Sequence, residues 1–74
     1  MQVTVKLYAL FRWRLFREAV REYPPGAAVS DVARDLEITE TEIGIVLVNG
    51  LHADLGHILQ EGDLVSLMPR IGGG

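Results

Sequence analysis

The chain opens with Val3, Val5 and Leu7 alternating with Gln2, Thr4, Lys6 and Tyr8. This is the period-two pattern of a strand with one buried face. Leu10 to Arg17 mixes aromatics and arginines with no clean period, and the stretch from Ala9 to Arg17 reads as an extended hairpin connection with room for one helical turn. Glu18 to Tyr23 forms a second strand, with Ala19, Arg21 and Tyr23 on one face and Val20 on the other; the pattern leaves open which face is inward. Pro24-Pro25-Gly26 ends it, because proline cannot donate to a ladder and glycine permits a turn.

Val29, Val32, Ala33 and Leu36 then fall at i, i+3, i+4 and i+7, the apolar stripe of a helix. Ser30 and Asp31 lie near its start, where side-chain oxygens can cap free N–H groups and negative charge meets the positive end of the dipole. Ile38 anchors the exit, and Thr39 to Glu42 is a polar connection. Ile43 to Val48 is almost wholly apolar and β-branched, as expected of a central strand covered on both faces. Asn49-Gly50 is a strong turn signal. Leu51-His52-Ala53 is a short strand, Leu55 to Leu59 a compact crossing segment, and Gln60-Glu61-Gly62-Asp63 a second turn. In the last strand Val65 and Leu67 share one face, and Leu64, Ser66 and Met68 share the other. One helix can cover only one face of such a sheet, so the class is α+β with helix on sheet. If Val65 and Leu67 face the helix, Leu64 and Met68 form an apolar patch on the open side, a place for a partner to dock.

Seventy-four residues make one domain with a small core. The absence of cysteine rules out disulfides, thiolate metal sites and a thiol nucleophile. A net charge of −3 does not match a nucleic-acid binder. No apolar run is long enough to span a membrane, and the first residues lack a signal-peptide pattern, so a cytoplasmic protein is expected.

The chain finishes on Gly72-Gly73-Gly74, directly after the last strand and the stiff step Pro69-Arg70-Ile71. The expectation is a folded domain over 1–71 followed by a flexible glycine tail over 72–74, whose only reactive group is the α-carboxylate. Such a tail suits a carboxylate that is threaded into another protein's active site. A frayed end, a linker remnant or a truncation is the plain alternative.

Three segments carry a family resemblance: Val48-Asn49-Gly50, Leu59-Gln60-Glu61-Gly62-Asp63-Leu64-Val65, and Met68-Pro69-Arg70-Ile71-Gly72-Gly73-Gly74. Together they resemble the MoaD/ThiS family of β-grasp, ubiquitin-like sulfur carriers, over essentially the whole chain. The approach to the helix, Gly26-Ala27-Ala28-Val29, is similar to the family's Gly-Ala-Thr-Val, with Ala28 in place of the capping threonine.

The resemblance implies a mixed four- to five-stranded sheet packed on one main helix. It implies that an adenylyltransferase related to ubiquitin-activating enzymes uses ATP to activate Gly74, with Gly73 its required neighbour. A thiocarboxylate then forms at Gly74, and its sulfur goes to cofactor biosynthesis. Leu64, Met68, Pro69, Arg70, Ile71 and Gly72 become the partner-binding residues. The chain itself would be non-catalytic and hold no cofactor or metal. The Met68-Pro69 step and the long first hairpin favour molybdopterin or tungstopterin synthesis, with a pterin synthase large subunit as partner. Thiazole synthase, in thiamine synthesis, is the alternative. A ubiquitin-like protein modifier and a plain interaction module also stay open, because activation is common to carrier and modifier.

Two other clusters offer candidate chemistry. His52 and His57 near Asp54 could suggest a metal, yet histidines on a short strand and a crossing loop are far more often surface or half-buried side chains. Arg12, Trp13, Arg14 and Arg17 could stack on single-stranded nucleic acid, but four basic residues on an acidic chain make a weak case.

Overall fold

A computed structural model describes residues 1–70; Ile71 and the glycine tail lie outside the described residues. The described elements run β1 (Gln2–Leu7), α1 (Ala9–Arg14), β2 (Glu18–Glu22), α2 (Val29–Asp35), a 3-10 turn (Glu40–Glu42), β3 (Ile43–Val48), β4 (Leu51–His52) and β5 (Leu64–Pro69). The strands form one five-stranded sheet in the order β2-β1-β5-β3-β4. β1 is parallel to β5 and antiparallel to β2, while β3 is antiparallel to both β5 and β4. The sheet is therefore mixed, with α2 against one face, the ubiquitin-like β-grasp arrangement.

The alternation in β1 reports its burial: Val3, Val5 and Leu7 are buried. They meet Val65 and Leu67 of β5, Val46 and Val48 of β3, and Val29, Val32, Ala33 and Leu36 from the helix segment in one core. Just past β2, Tyr23 settles the inward face of that strand, since it is buried while Val20 is 62% exposed. The Tyr23 hydroxyl donates to Asp35 Oδ2 at 2.9 Å, and Arg21 bonds the same oxygen at 3.1 Å. Burial, and then this hydrogen bond to Asp35, push the tyrosine hydroxyl up to about 12.

The start of α2 is better satisfied than Ala28 alone suggests. The Asp31 carboxylate accepts the Ala28 N–H at 2.7 Å. The crossing segment supplies the remaining acceptors: Val29 N–H donates to the His57 carbonyl at 3.0 Å and Ser30 N–H to that of Leu55 at 2.8 Å. The first-turn donors that a helix leaves free are thus bound by tertiary contacts, and no capping threonine is needed.

Two expectations are corrected. The stretch from Ala9 is less extended than expected: the room for one helical turn is filled by a six-residue helix, Ala9–Arg14, and Ala9 enters it at φ 50°. Phe11, fully buried, holds it to the core, a single anchor that gives no sequence period. β3 is not covered on both faces either. Ile43, Val46 and Val48 are buried, but Ile45 is 39% exposed and Leu47 only half-buried, because no described element packs over that side.

Candidate functional site

The turn at Asn49-Gly50 sets where β5 begins. Both residues have positive φ, 52° and 82°, as a tight hairpin turn requires. The Asn49 side chain bridges two segments: its Oδ1 accepts the Leu64 N–H and its Nδ2 donates to Asp63 Oδ1, each at 2.9 Å. Asp63 also closes its own turn by accepting the Gln60 N–H through Oδ2 at 2.9 Å. These contacts account for the Val48-Asn49-Gly50 and Gln60-to-Asp63 motifs as devices that fix the register of β5.

From that start, Val65 and Leu67 point to the helix and are fully buried, while Leu64 and Met68 are half-buried on the open face. Ser66 lies between them and is buried, flanked in register by Lys6 of β1 and Leu47 of β3. Met68 pairs with Ile45, and Leu47 pairs with His52. The open face is thus an apolar strip of Leu64, Met68, Ile45 and Leu47 with the small Ser66 at its centre. Ile45 and Leu47 were missed from the sequence, because an unbroken apolar strand reads the same whether one face or both are covered.

Pro69 ends β5, opposite Ile43. Arg70 follows it, and its N–H donates to the Glu42 carbonyl at 2.9 Å. Gly44 is the extra residue of a bulge between Ile43 and Ile45. A Cβ there would come within 3.0 Å of Arg70 Cα and 3.1 Å of the Pro69 carbonyl oxygen. Glycine at 44 is therefore what lets Pro69 and Arg70 lie against β3. The Glu42 side chain accepts Arg14 Nη1 at 2.8 Å and the Thr39 N–H at 2.9 Å, so one residue ties α1 and the 3-10 turn to the backbone of Arg70. The Arg14 hydrogen bond, then those from Thr39, hold the Glu42 carboxyl down at about 2.

The structure thus brings Leu64, Met68, Pro69 and Arg70 into one strip and its exit. Ile71, Gly72, Gly73 and Gly74 lie outside the described residues. His52 and His57 line a shallow depression with Ala53, Asp54 and Gly56. Among the described residues no group of three or more His, Cys, Asp or Glu could hold a metal ion, and no helix is long and apolar enough to cross a membrane.

The family described as Mut7-C ubiquitin matches residues 3–72. No curated protein matches the chain by sequence. Among solved structures, the chain is similar to a Pyrococcus furiosus protein assigned as molybdopterin converting factor, subunit 1. Identity is 27%, the TM-score is 0.79, and the match covers 96% of this chain and 99% of that one. SAMP1 of Haloferax volcanii, a small archaeal modifier protein, matches at 25% identity and TM-score 0.78, over the full length of both chains. A third structure, the complex of subunits 1 and 2 of the Helicobacter pylori molybdopterin-converting factor, contains a chain of the same fold. There identity is 20% and the TM-score 0.68, again over both full lengths.

Proposed function

This chain belongs to the Mut7-C ubiquitin family and is a MoaD/ThiS-like β-grasp protein, and on that footing we propose that it is a sulfur carrier that reacts at Gly74. A carboxylate is a poor electrophile and must first be activated. An adenylating partner, related to ubiquitin-activating enzymes, joins the Gly74 carboxylate to the α-phosphorus of ATP and releases pyrophosphate. Sulfide, or a donor that delivers its equivalent, attacks the acyl carbon. The bond from that carbon to the phosphate oxygen breaks, AMP leaves, and a thiocarboxylate stays on Gly74. Transfer of that sulfur to a pterin, for a molybdenum or tungsten cofactor, returns the carboxylate. A thiazole acceptor is the alternative within the same chemistry.

The observation that carries this reading is the end-to-end likeness to the Pyrococcus subunit, with Gly72-Gly73-Gly74 following the strand that bears the apolar strip. The protein's own contribution is substrate and recognition. Gly73 and Gly72 keep the tail free of Cβ atoms that would thicken it in a narrow channel. Leu64, Met68, Pro69, Arg70 and Ile71 offer the docking surface, and the Helicobacter complex supports a pterin synthase large subunit as the second partner. The likeness to SAMP1 supports a second reading, a ubiquitin-like modifier in which a lysine amine attacks the same adenylate.

ATP–pyrophosphate exchange with the adenylating partner tests the shared step. Deleting Gly74, or adding a residue after it, is expected to abolish exchange while the fold and the partner's affinity for the strip persist. Full exchange with either variant would end both readings.

A further inference from the structure

The end of the sheet that holds Arg70 carries a second surface, which the chemistry at Gly74 does not use. α1 and the residue after it leave Trp13 89% exposed, Leu10 59% and Leu15 41%. Exposed tryptophan of this degree is costly to solubility and buries nothing in the core, so it has no role in holding the fold. Residues 6–17 also contain four basic residues, Lys6, Arg12, Arg14 and Arg17, and no acidic one, in a chain whose net charge is −3. Arg12 is already oriented: its guanidinium lies 5.7 Å from the Tyr8 ring centroid, and its Nε donates to the Leu7 carbonyl at 3.3 Å. Arg17 makes no ion pair among the described residues.

This surface is fixed beside the tail root. β1 and β5 are parallel, so α1, which follows β1, lies at the end where β5 gives way to Arg70. Tyr8 N–H donates to the Leu67 carbonyl at 3.3 Å, and Arg14 bonds Glu42, whose carbonyl holds the Arg70 N–H. The four residues beyond Arg70 reach at most roughly 14 Å. A protein whose active site takes Gly74 must therefore close in on this end of the sheet.

We infer that α1 is a second docking point for the adenylating partner, with Trp13 as the apolar anchor and Arg12 and Arg17 facing carboxylates on that partner's surface. The inference rests on the sulfur-carrier reading for its partner. Its chemistry comes from this segment itself: an exposed tryptophan in a stretch with arginines before and after it and two exposed leucines has the composition of protein-interface anchors. A nucleic acid would call for a broad run of unpaired cations, whereas Arg14 is neutralised by Glu42 and the rest of the chain holds ten acidic residues against three basic.

The test uses the intact chain and the adenylating enzyme. Trp13 is the only tryptophan, so incorporation of 5-fluorotryptophan gives one ¹⁹F resonance that reports this surface alone. Adding the enzyme is expected to shift or broaden that resonance, and high salt to reverse the effect. In exchange assays Trp13→Ala and the double variant Arg12→Glu/Arg17→Glu should raise KM by roughly tenfold or more, with kcat changed less than about twofold. Trp13→Ala should leave the melting temperature within about 2 °C of the parent, as surface substitutions usually allow, while the double variant gives up the Arg12 contacts with Tyr8 and Leu7 and should stay folded with a loss of no more than about 8 °C. Exchange with unchanged KM in both variants and an unmoved resonance would overturn the inference and leave the carrier reading standing. No exchange with the parent chain would remove the carrier reading and this inference with it. A resonance moved by a short single-stranded oligonucleotide at physiological salt, and not by the enzyme, would assign the surface to nucleic acid and overturn the inference as well.

Discussion

α2 and α1 are nearly equal in length, seven residues against six, yet they meet the rest of the molecule in opposite ways. α2 turns Val29, Val32 and Ala33 into the core and has its first-turn donors bound by Asp31 and by the carbonyls of the crossing segment. α1 buries Phe11 alone, has no side-chain cap, and leaves Trp13 and Leu10 in solvent. The difference separates what the fold needs from what it offers. A helix that stabilises a small domain spends its apolar residues inward; one that displays them is kept in place by a single buried anchor and an ion pair.

The most severe test of that contrast compares two residues of the same helix. Phe11→Ala is expected to cost about 3–5 kcal/mol in urea denaturation, since it empties a fully buried aromatic site. Trp13→Ala should change stability by less than about 0.5 kcal/mol. Similar costs for both would show that Trp13 packs against the body and that α1 is not a display element.

Gly44→Ala sharpens the contrast at the end of β5. The added methyl meets backbone atoms of Pro69 and Arg70, so a cost of about 1–3 kcal/mol is expected from overpacking. Amide shifts in an NMR spectrum should be confined to Ile43, Ile45 and Arg70, with those of α2 unmoved. Shifts spread evenly over the protein would mean that the Gly44–Arg70 contact is not a separately held feature.

These two positions also mark what the sequence made legible and what it hid. The stripe Val29, Val32, Ala33, Leu36 was readable because every member of a helical period is buried. Asn49-Gly50 was readable because the turn demands left-handed φ at both residues. Leu64 and Met68 were placed on the open face by alternation in β5 alone. Of α1 only the room for one turn was readable, not its length, because one buried residue makes no period and Ala9 begins it at an unusual φ. Nor were Ile45 and Leu47, since their exposure depends on no described element packing over them, and Gly44 meets Arg70 across a bulge that no local pattern announces.

A smaller effect tests the far end of α2. Glu37 adopts φ 58° just past the helix, where its N–H donates to the Arg34 carbonyl and the Ile38 N–H to that of Ala33. This is the doubly bonded stop usually taken by glycine. Glu37→Gly should therefore stabilise the domain by about 0.5–1 kcal/mol. A loss of stability would show that the glutamate side chain contributes more than its backbone strain removes.

The smallest effect concerns pH and α1. The Glu42 carboxyl is lowered from the ordinary 4.5 to about 2, first through the hydrogen bond from Arg14. A depressed carboxyl stabilises the fold above its unfolded value, and that contribution is lost as pH falls from 4.5 toward 2. Because the pair is exposed, the loss is modest and salt-sensitive. Acid titration followed by NMR should therefore loosen α1 before α2, and Arg14→Gln should bring the Glu42 midpoint back up toward its ordinary value. An unchanged midpoint would mean that Thr39 alone holds the carboxylate.

The central claim concerns the end of the chain, and intact-mass analysis of the protein isolated from its own cells addresses it most directly. The account predicts a species ending at Gly74 that carries the mass of one oxygen-for-sulfur exchange, localised to the last residue by fragmentation and lost on reaction with an alkylating agent and hydrolysis. Gly74 found chiefly in isopeptide linkage to lysines of other proteins, with no thiocarboxylate, would contradict it and make the chain a modifier.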